Sequence, residues 1–469
     1  MIMTSRKTHL FSTVMSYFMI FMALISFGIT SCTSPKQTDV SQPDEEDTTS
    51  LSDDSLLTLV QKQTFNYFWD GAEETSGLAR ERIHMDGEYP QNDQDVVTIG
   101  GSGFGIMSIL VGIERGFISR SEGYTRLNKI ADYLEKADRF HGVWPHWLNG
   151  PTGKVKPFSP KDDGGDLVET AFLAQALITV RQYFRDGNDQ EKALAAKVDE
   201  LWKTIEWDFY RNGGQNVLYW HWSPNVGWEM NFPIRGYDEC LIVYILAASS
   251  PTHGVPAEVY HEGWARSGDI KSDSEQYGIK TVVAHNGQNG NVGPLFWSHY
   301  SYLGLDPQGL QDQYANYEDL TKNHTLIHRA YAIDNPKEFK GYGPDMWGFT
   351  SSYSVNGYSG HSPNNDLGVI TPTAATSSIP YTPEYSMEVI RHLYEDLGDK
   401  VWGEYGFYDA LSETDNWFPT RYLAIDQGTM PVMIENHRSG MIWDLFMSAP
   451  EIKAGLTKLG FTSSKHRLD

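Results

Sequence analysis

The stretch Phe104-Gly105-Ile106-Met107-Ser108-Ile109-Leu110-Val111-Gly112-Ile113-Glu114-Arg115-Gly116 sets the architecture. It is apolar over most of its length and ends on Gly, the residue that most readily takes the left-handed turn closing a helix. A helix with apolar residues on more than one face has to be covered on more than one face. The pattern recurs. Leu56, Leu59, Val60, Phe65 and Phe68 stand at helical spacing in residues 55–69. Helices are also expected over 121–137, 166–184, 189–207, 236–249, 256–265, 293–303, 311–332, 383–397, 428–448 and 450–459. Few alternating runs suggest strands. The segments 77–98, 140–165, 211–235 and 340–382 are long loops rich in Gly and aromatic residues, a composition that argues for function rather than disorder. Buried helices joined by such loops predict an all-α (α/α)₆ toroid, with the loops building a cleft at one end. A plain helical bundle or solenoid is the simpler arrangement of the same pattern, and no fixed-period repeat separates the two.

The N-terminus has its own logic. Arg6 and Lys7 precede an apolar run over 10–29, followed by Ile29-Thr30-Ser31-Cys32. Small residues before a Cys fit a lipoprotein signal peptidase, which leaves a lipidated Cys32 as the new N-terminus. Ser12, Ser16, Ser26 and Thr30 make the run a poor permanent span. The expected organisation is a signal peptide over 1–31, a tether over 32–54 rich in Ser, Thr, Pro, Asp and Glu, and a single domain over 55–469. The domain is then an outer-membrane lipoprotein of the cell envelope, facing the periplasm or the exterior.

Net charge is −24 over 469 residues. A chain this acidic is repelled by nucleic acid and by anionic lipid surfaces, so membrane contact is expected only through the anchor. It suits a neutral or cationic ligand, and a monomer is expected. The 14 Trp and 26 Tyr offer flat faces for stacking on sugar rings, although filling a large core accounts for much of the same count. With Cys32 lipidated, only Cys240 remains, so no intrachain disulfide can form. Cys240 leads the run Leu-Ile-Val-Tyr-Ile-Leu and reads as a buried small hydrophobe.

Several familiar chemistries find no support. The glycines of Gly100-Gly101-Ser102-Gly103-Phe104-Gly105 lack the spacing and preceding strand of a nucleotide loop, and suit close helix packing. His324 and His328 stand four apart, but no HExxH or CxxC pattern accompanies them, and a solvated helix face is the expectation. No metal and no cofactor is expected. A GxSxG elbow is absent.

The carboxylates remain. In Lys161-Asp162-Asp163-Gly164-Gly165-Asp166-Leu167-Val168-Glu169-Thr170, two glycines let the chain turn and present acids on either side. Asp166 with Glu169 also fits a capping box. Capping leaves Asp162 and Asp163 unexplained, as it does Trp144-Pro145-His146-Trp147 upstream. In Arg235-Gly236-Tyr237-Asp238-Glu239-Cys240, Glu239 directly precedes an apolar run; desolvation there raises a carboxyl pKa toward what a general acid needs, while pairing with Arg235 would lower it. Asp426 in Asp426-Gln427-Gly428 is a candidate N-cap at a loop–helix junction, and Glu435 with Arg438 fits an ordinary ion pair. Glycoside hydrolysis requires two carboxyl functions across the scissile bond.

Phe68-Trp69-Asp70, Ser76-Gly77-Leu78, the run Thr98 to Gly105, Gly112-Ile113-Glu114-Arg115-Gly116, Pro145-His146-Trp147, the run Asp162 to Thr170, Tyr237-Asp238-Glu239-Cys240, Gly343-Pro344-Asp345 and Asp426-Gln427-Gly428 together resemble the bacterial lipoproteins labelled "putative glucoamylase". That group is similar to glycoside hydrolase family 144, the β-1,2-glucanases, and the resemblance spans about 55–460. It implies an (α/α)₆ barrel and an inverting attack on β-1,2-glucan releasing sophorose or short sophoro-oligosaccharides. It implies functional acids at Asp162, Asp166, Glu239 and Asp426. Glu239 is the expected general acid and Asp426 the first choice for the base, with Asp162 or Asp166 second. Trp144, His146, Arg235, Tyr237, Trp347 and Glu435 are the expected contacts to an oligo- or polysaccharide. An α-glucan hydrolase and a non-catalytic glycan-binding lipoprotein are the alternatives.

Overall fold

The central helices are apolar all round because protein covers them all round. In the computed structural model, which describes residues 50–468, the helices in chain order are α1 (Asp53–Trp69), α2 (Ile99–Glu114), α3 (Arg120–Leu134), α4 (Leu167–Phe184), α5 (Asp189–Lys203), α6 (Leu241–Ser249), α7 (Tyr317–Asp334), α8 (Pro372–Thr376), α9 (Pro383–Glu395), α10 (Gly398–Val401), α11 (Ala424–Gln427), α12 (Thr429–Arg438), α13 (Met441–Met447) and α14 (Pro450–Lys458). Every residue from Ile99 to Gly112 in α2 is buried, as is all of α6. In contrast, α3, α5 and α9 bury one stripe each, such as Leu127, Ile130, Ala131 and Leu134 in α3. They are the outer, amphipathic layer.

Neighbour follows neighbour around the molecule. α2 packs on α4, and α4 on α6. α12 packs on both α8 and α2, and α1 lies against α2 and α12, so the end of the chain returns to its beginning. The glycines of α2 permit the closest approach: a Cβ on Gly103 would sit 2.6 Å from the Phe172 carbonyl oxygen and 2.8 Å from the Leu173 Cα of α4. The packing role expected of these glycines is therefore realised.

Leu51–Asp469 forms one compact unit. The expected leader and lipidated Cys32 lie outside the described residues; the described end of the tether is already helical at Asp53, where the Ser52 hydroxyl caps α1 by accepting the Ser55 N–H. No described helix is long and apolar enough to cross a membrane.

Three expected helices differ. Residues 293–303 form two 3₁₀ turns, Leu295–Ser298 and Tyr300–Tyr302. Residues 256–265 contain a π-helical turn, Val259–Trp264. Residues 428–448 break into α12 and α13 at Gly440, whose φ of 73° no helix accommodates. Short strand pairs, almost invisible to alternation at two to four residues each, brace the loops. β1 (Arg82–His84) pairs with Arg421–Leu423; β2 (Val96–Thr98), β3 (Trp147–Asn149) and β4 (Lys154–Lys156) form one small sheet; β5 (Gly165–Asp166) pairs with β6 (His221–Trp222), placing Asp166 opposite His221.

Candidate active site

A cleft of about 560 Å³ opens where the central helices begin. Its floor carries Thr98 at the start of α2, Val168 and Glu169 in the first turn of α4, Glu239 just before α6, and Leu423 and Ile425 at α11. Its walls are aromatic, with Trp147, Phe158, Trp220, Phe296, Tyr300, Tyr353 and Tyr358, and its remaining charged groups are Glu81, Arg82 and His146.

Glu239 is held in place by its backbone. The Ser301 hydroxyl, from the Tyr300–Tyr302 turn, donates to the Glu239 carbonyl and accepts the Ile242 N–H at 3.0 Å. Asp238 accepts the Cys240 N–H at 2.9 Å in the turn that leads into α6. Burial, and then the negative charge of Asp238, push the Glu239 carboxyl far above the usual carboxylate range, with Glu169 and Asp166 adding to the effect. Burial lifts Asp238 to about 7. Such a pair gives up its protons at macroscopic pKa values that belong to both groups.

Glu169 enters the cleft from the other side of α4's first turn. Its Oε2 accepts the Gly100 N–H at 2.7 Å. Burial raises it to about 7 against the opposing pull of His146, whose Nε2 lies 3.9 Å from Glu169 Oε1. His146 donates through Nδ1 to Asp166 Oδ2 at 2.9 Å. Burial disfavours the imidazolium, but Glu169, Asp166 and Asp162 outweigh it and raise His146 to about 10.

Asp426 sits beside Asp409. Burial raises both, Asp409 to about 6 and Asp426 well above the usual carboxylate range; the Asp409 charge adds to the rise of Asp426, while a hydrogen bond with Asp426 holds Asp409 down. No N–H or hydroxyl of another described residue reaches either Asp426 oxygen, so the proton available to this carboxyl is one shared with Asp409. Asp409 is itself fixed by the Tyr353 N–H at 2.9 Å. Tyr300 lines the cleft and keeps its proton: burial first, and then the charges of Asp426, Tyr358, Glu239 and Glu169, hold it on. The site thus gathers one carboxyl, Glu239, raised by burial and by Asp238, and a second pair, Asp409 and Asp426, both raised by burial.

The family described as Glycoamylase, "Putative glucoamylase", matches residues 231–450. A "putative glucoamylase" from Bacteroides caccae is 63% identical over 88% of this chain and 100% of its own, with a TM-score of 0.87. The endo-β-1,2-glucanase from Chitinophaga pinensis, solved with sophorotriose and glucose, is 64% identical over 88% of this chain and 99% of its own, with a TM-score of 0.86. The chain belongs to the Glycoamylase family. An exo β-1,2-glucooligosaccharide sophorohydrolase (non-reducing end) from Parabacteroides distasonis is 43% identical over 87% of this chain, which spans 58% of that protein.

In this member of the Glycoamylase family, the expected site residues fall into two groups. Glu239 and His146 line the cleft, and Asp426 adjoins its lining residue Ile425. Asp166 is wholly buried: its Oδ1 accepts the N–H groups of Val168 and Glu169 at 3.0 Å each, capping α4, and its Oδ2 is taken by His146. Asp162 lies buried beside His146 and His221. Neither lines the cleft, and the oxygens of Asp166 are already taken by His146 and the first N–H groups of α4. Asp426 is not an N-cap, since it lies inside α11.

The expected sugar contacts need more correction. Trp144, Tyr237 and Trp347 are fully buried. Trp144 donates to the Leu134 carbonyl at 3.1 Å under the Arg139 guanidinium, Tyr237 bonds Ser298, and Trp347 packs in the core around Phe349 and Ile379. Exposed Arg235 donates to the Glu262 carbonyl and is not part of the cleft lining. Glu435 is a structural anion: Arg115 grips it through two N–H groups at 2.5 and 2.8 Å, while Arg438 turns to Asp54. His324 and His328 are buried, and both Nε2 atoms bond the Gly293 carbonyl, at 2.8 and 2.9 Å. Cys240 is buried, as its apolar run requires.

Sequence reasoning missed Glu81, Glu169, Asp409 and Tyr300. Glu169 was hidden by the capping-box pattern. Asp166 does cap α4, but Glu169 reaches Gly100 rather than returning to the cap. Asp409 carried a fainter signal, a lone acid between Phe407-Tyr408 and Ala410-Leu411.

Proposed function

We propose that the protein is an inverting glycoside hydrolase that cleaves β-1,2-glucan to sophorose or sophoro-oligosaccharides. Glu239 in the cleft carries this reading: burial and Asp238 keep its carboxyl protonated near neutral pH, as a general acid requires. Glu239 gives its proton to the glycosidic oxygen of the leaving sugar. Water attacks the anomeric carbon from the opposite face and loses its proton to the Asp409–Asp426 pair: Asp426 takes it as the proton the two share passes to Asp409. One bond forms as the other breaks, so the configuration inverts; the geometry needed is a carboxyl separation of roughly 6.5–9.5 Å. Trp147, Phe158 and Trp220 offer ring faces to the sugars. The 64% identity to the C. pinensis endo-β-1,2-glucanase supports the substrate.

The helices form an (α/α)₆ toroid in this reading. Supporting it are the inner succession α2, α4, α6 and the return of α12 onto α2. Envelope anchoring through Cys32 is supported by the apolar run and the small residues before that Cys.

The test is incubation with β-1,2-glucan, starch and laminarin, with product and anomer analysis. Sophoro-oligosaccharides of inverted configuration from β-1,2-glucan alone are expected. Glucose from starch would instead favour the activity in the family's description, and no product from any of them would favour a glycan-binding role. Glu239→Gln is expected to reduce kcat by roughly 10²–10⁴-fold or more without lowering the melting temperature.

A further inference from the structure

Beside the cleft, three side chains converge: the cleft-lining His146 before β3, and Asp162 and Asp166 on the glycine turn, with ligand atoms within 4.8 Å of one another. His221 on β6 stands next to the two carboxylates. His146 Nδ1 lies 2.9 Å from Asp166 Oδ2 and 4.0 Å from Asp162 Oδ2. His221 Nδ1 lies 3.3 Å from Asp162 Oδ1 and 3.7 Å from Asp166 Oδ2. Asp162 is 4% exposed and Asp166 0%, and the His221 side chain is 9% exposed. Yet Asp162 Oδ1 and His221 Nδ1, although 3.3 Å apart, make no hydrogen bond with each other or with another described residue. Buried polar atoms without partners are rare and call for an occupant.

We propose that His146, Asp162 and Asp166 bind one divalent transition-metal ion of the zinc class, with His221 beside them. Ligand atoms about 2.0–2.2 Å from a tetrahedral ion stand roughly 3.3–3.6 Å apart, and the separations of 2.9 and 4.0 Å from His146 Nδ1 lie on either side of that range. Two carboxylates supply the charge that a divalent ion neutralises. The imidazole nitrogen selects zinc-like ions over calcium or magnesium, which prefer oxygen alone. The supporting contacts are in place: the N–H groups of Val168 and Glu169 hold Asp166 Oδ1, leaving Oδ2 for the ion.

The ion would act by positioning. A metal on His146 Nδ1 fixes the ring hydrogen on Nε2, which faces Glu169 Oε1 at 3.9 Å. It would join the 140–165 loop to the start of α4 and so fix one wall of the cleft. An imidazolium bridging the same carboxylates is the competing arrangement, and it needs no ion.

The test begins with elemental analysis of the purified protein, then chelation and addition of ZnCl₂, MnCl₂ or CaCl₂, followed by thermal melts. Zinc is expected at up to one ion per chain, with a melting temperature lowered by chelation and restored by zinc more than by calcium. In Asp162→Asn and Asp166→Asn, the bound ion and the zinc-dependent rise should both disappear. A wild-type melt identical with chelator, zinc, manganese and calcium would overturn the proposal, as would restoration by calcium alone. The wild-type melts are decisive even where either variant misfolds, and none of these readings depends on which glycan is cleaved.

Discussion

At the residue scale, Glu239 is governed by its immediate neighbour. The Asp238 charge is the largest influence after burial on its pKa. Asp238→Asn removes a like charge, so the Glu239 pKa falls and the general acid loses its proton at lower pH. The alkaline limb of the kcat/KM profile is expected to move down by roughly one pH unit, and an unmoved limb would show that Asp238 does not set the acid's proton affinity. Glu239 was legible because an acid before an apolar run has to be partly desolvated. Glu169 was not, because three-residue spacing from a cap describes both a local hydrogen bond and a side chain facing a distant Gly100.

At the element scale, α2 meets α4 through glycine. Gly103→Ala would place a methyl group within 2.6–2.8 Å of Phe172 and Leu173 backbone atoms, and backbone cannot step aside as a flexible side chain can. Overpacking of this kind costs about 1–3 kcal/mol, read as a lower denaturant midpoint. Gly116→Ala serves as contrast: nothing lies within 4 Å of its Cβ position, and its loss comes from the φ of 69° alone. Helices came through as sequence patterns because burial repeats every three or four residues. The 3₁₀ turns at Leu295–Tyr302 did not, since their short apolar and aromatic run fits a helix equally well; what sets their course is Tyr237 and Tyr381 bonding Trp297 and Ser298.

At the scale of the whole molecule, folding gathers acids that water would otherwise keep ionised. Glu239, Asp238, Asp409 and Asp426 all have folded pKa values above those of the unfolded chain. Their contribution is fully present below the unfolded pKa, near 4, and is lost as pH rises through the folded values. Buried His285, His299, His324 and His328 are shifted the other way, with His324 near 4 and His299 near 3. They oppose the acids below about pH 6.5, where unfolded histidine takes up protons, and are neutral in both states above it. The melting temperature is therefore expected to fall from pH 6.5 to 8.5, each proton lost on unfolding contributing about 1.4 kcal/mol per pH unit. Glu239→Gln should flatten that slope. A melt that rises over this range would contradict the burial of these acids.

The helix-rich architecture, the packing glycines, the isolated Cys240 and the acid before α6 were all legible in the chain alone, because each shows as a local pattern of residue types. So were the motifs that mark the family. Folding in three dimensions was needed to establish which acids share a proton, which aromatics face the cleft and which lie in the core, and how His146, Asp162, Asp166 and His221 come together. The reason is physical: a carboxyl's proton affinity and a ring's accessibility depend on groups folded against it from far along the chain. Asp409 and Asp426, or His146 and His221, become neighbours only when the loops close over the ends of the central helices.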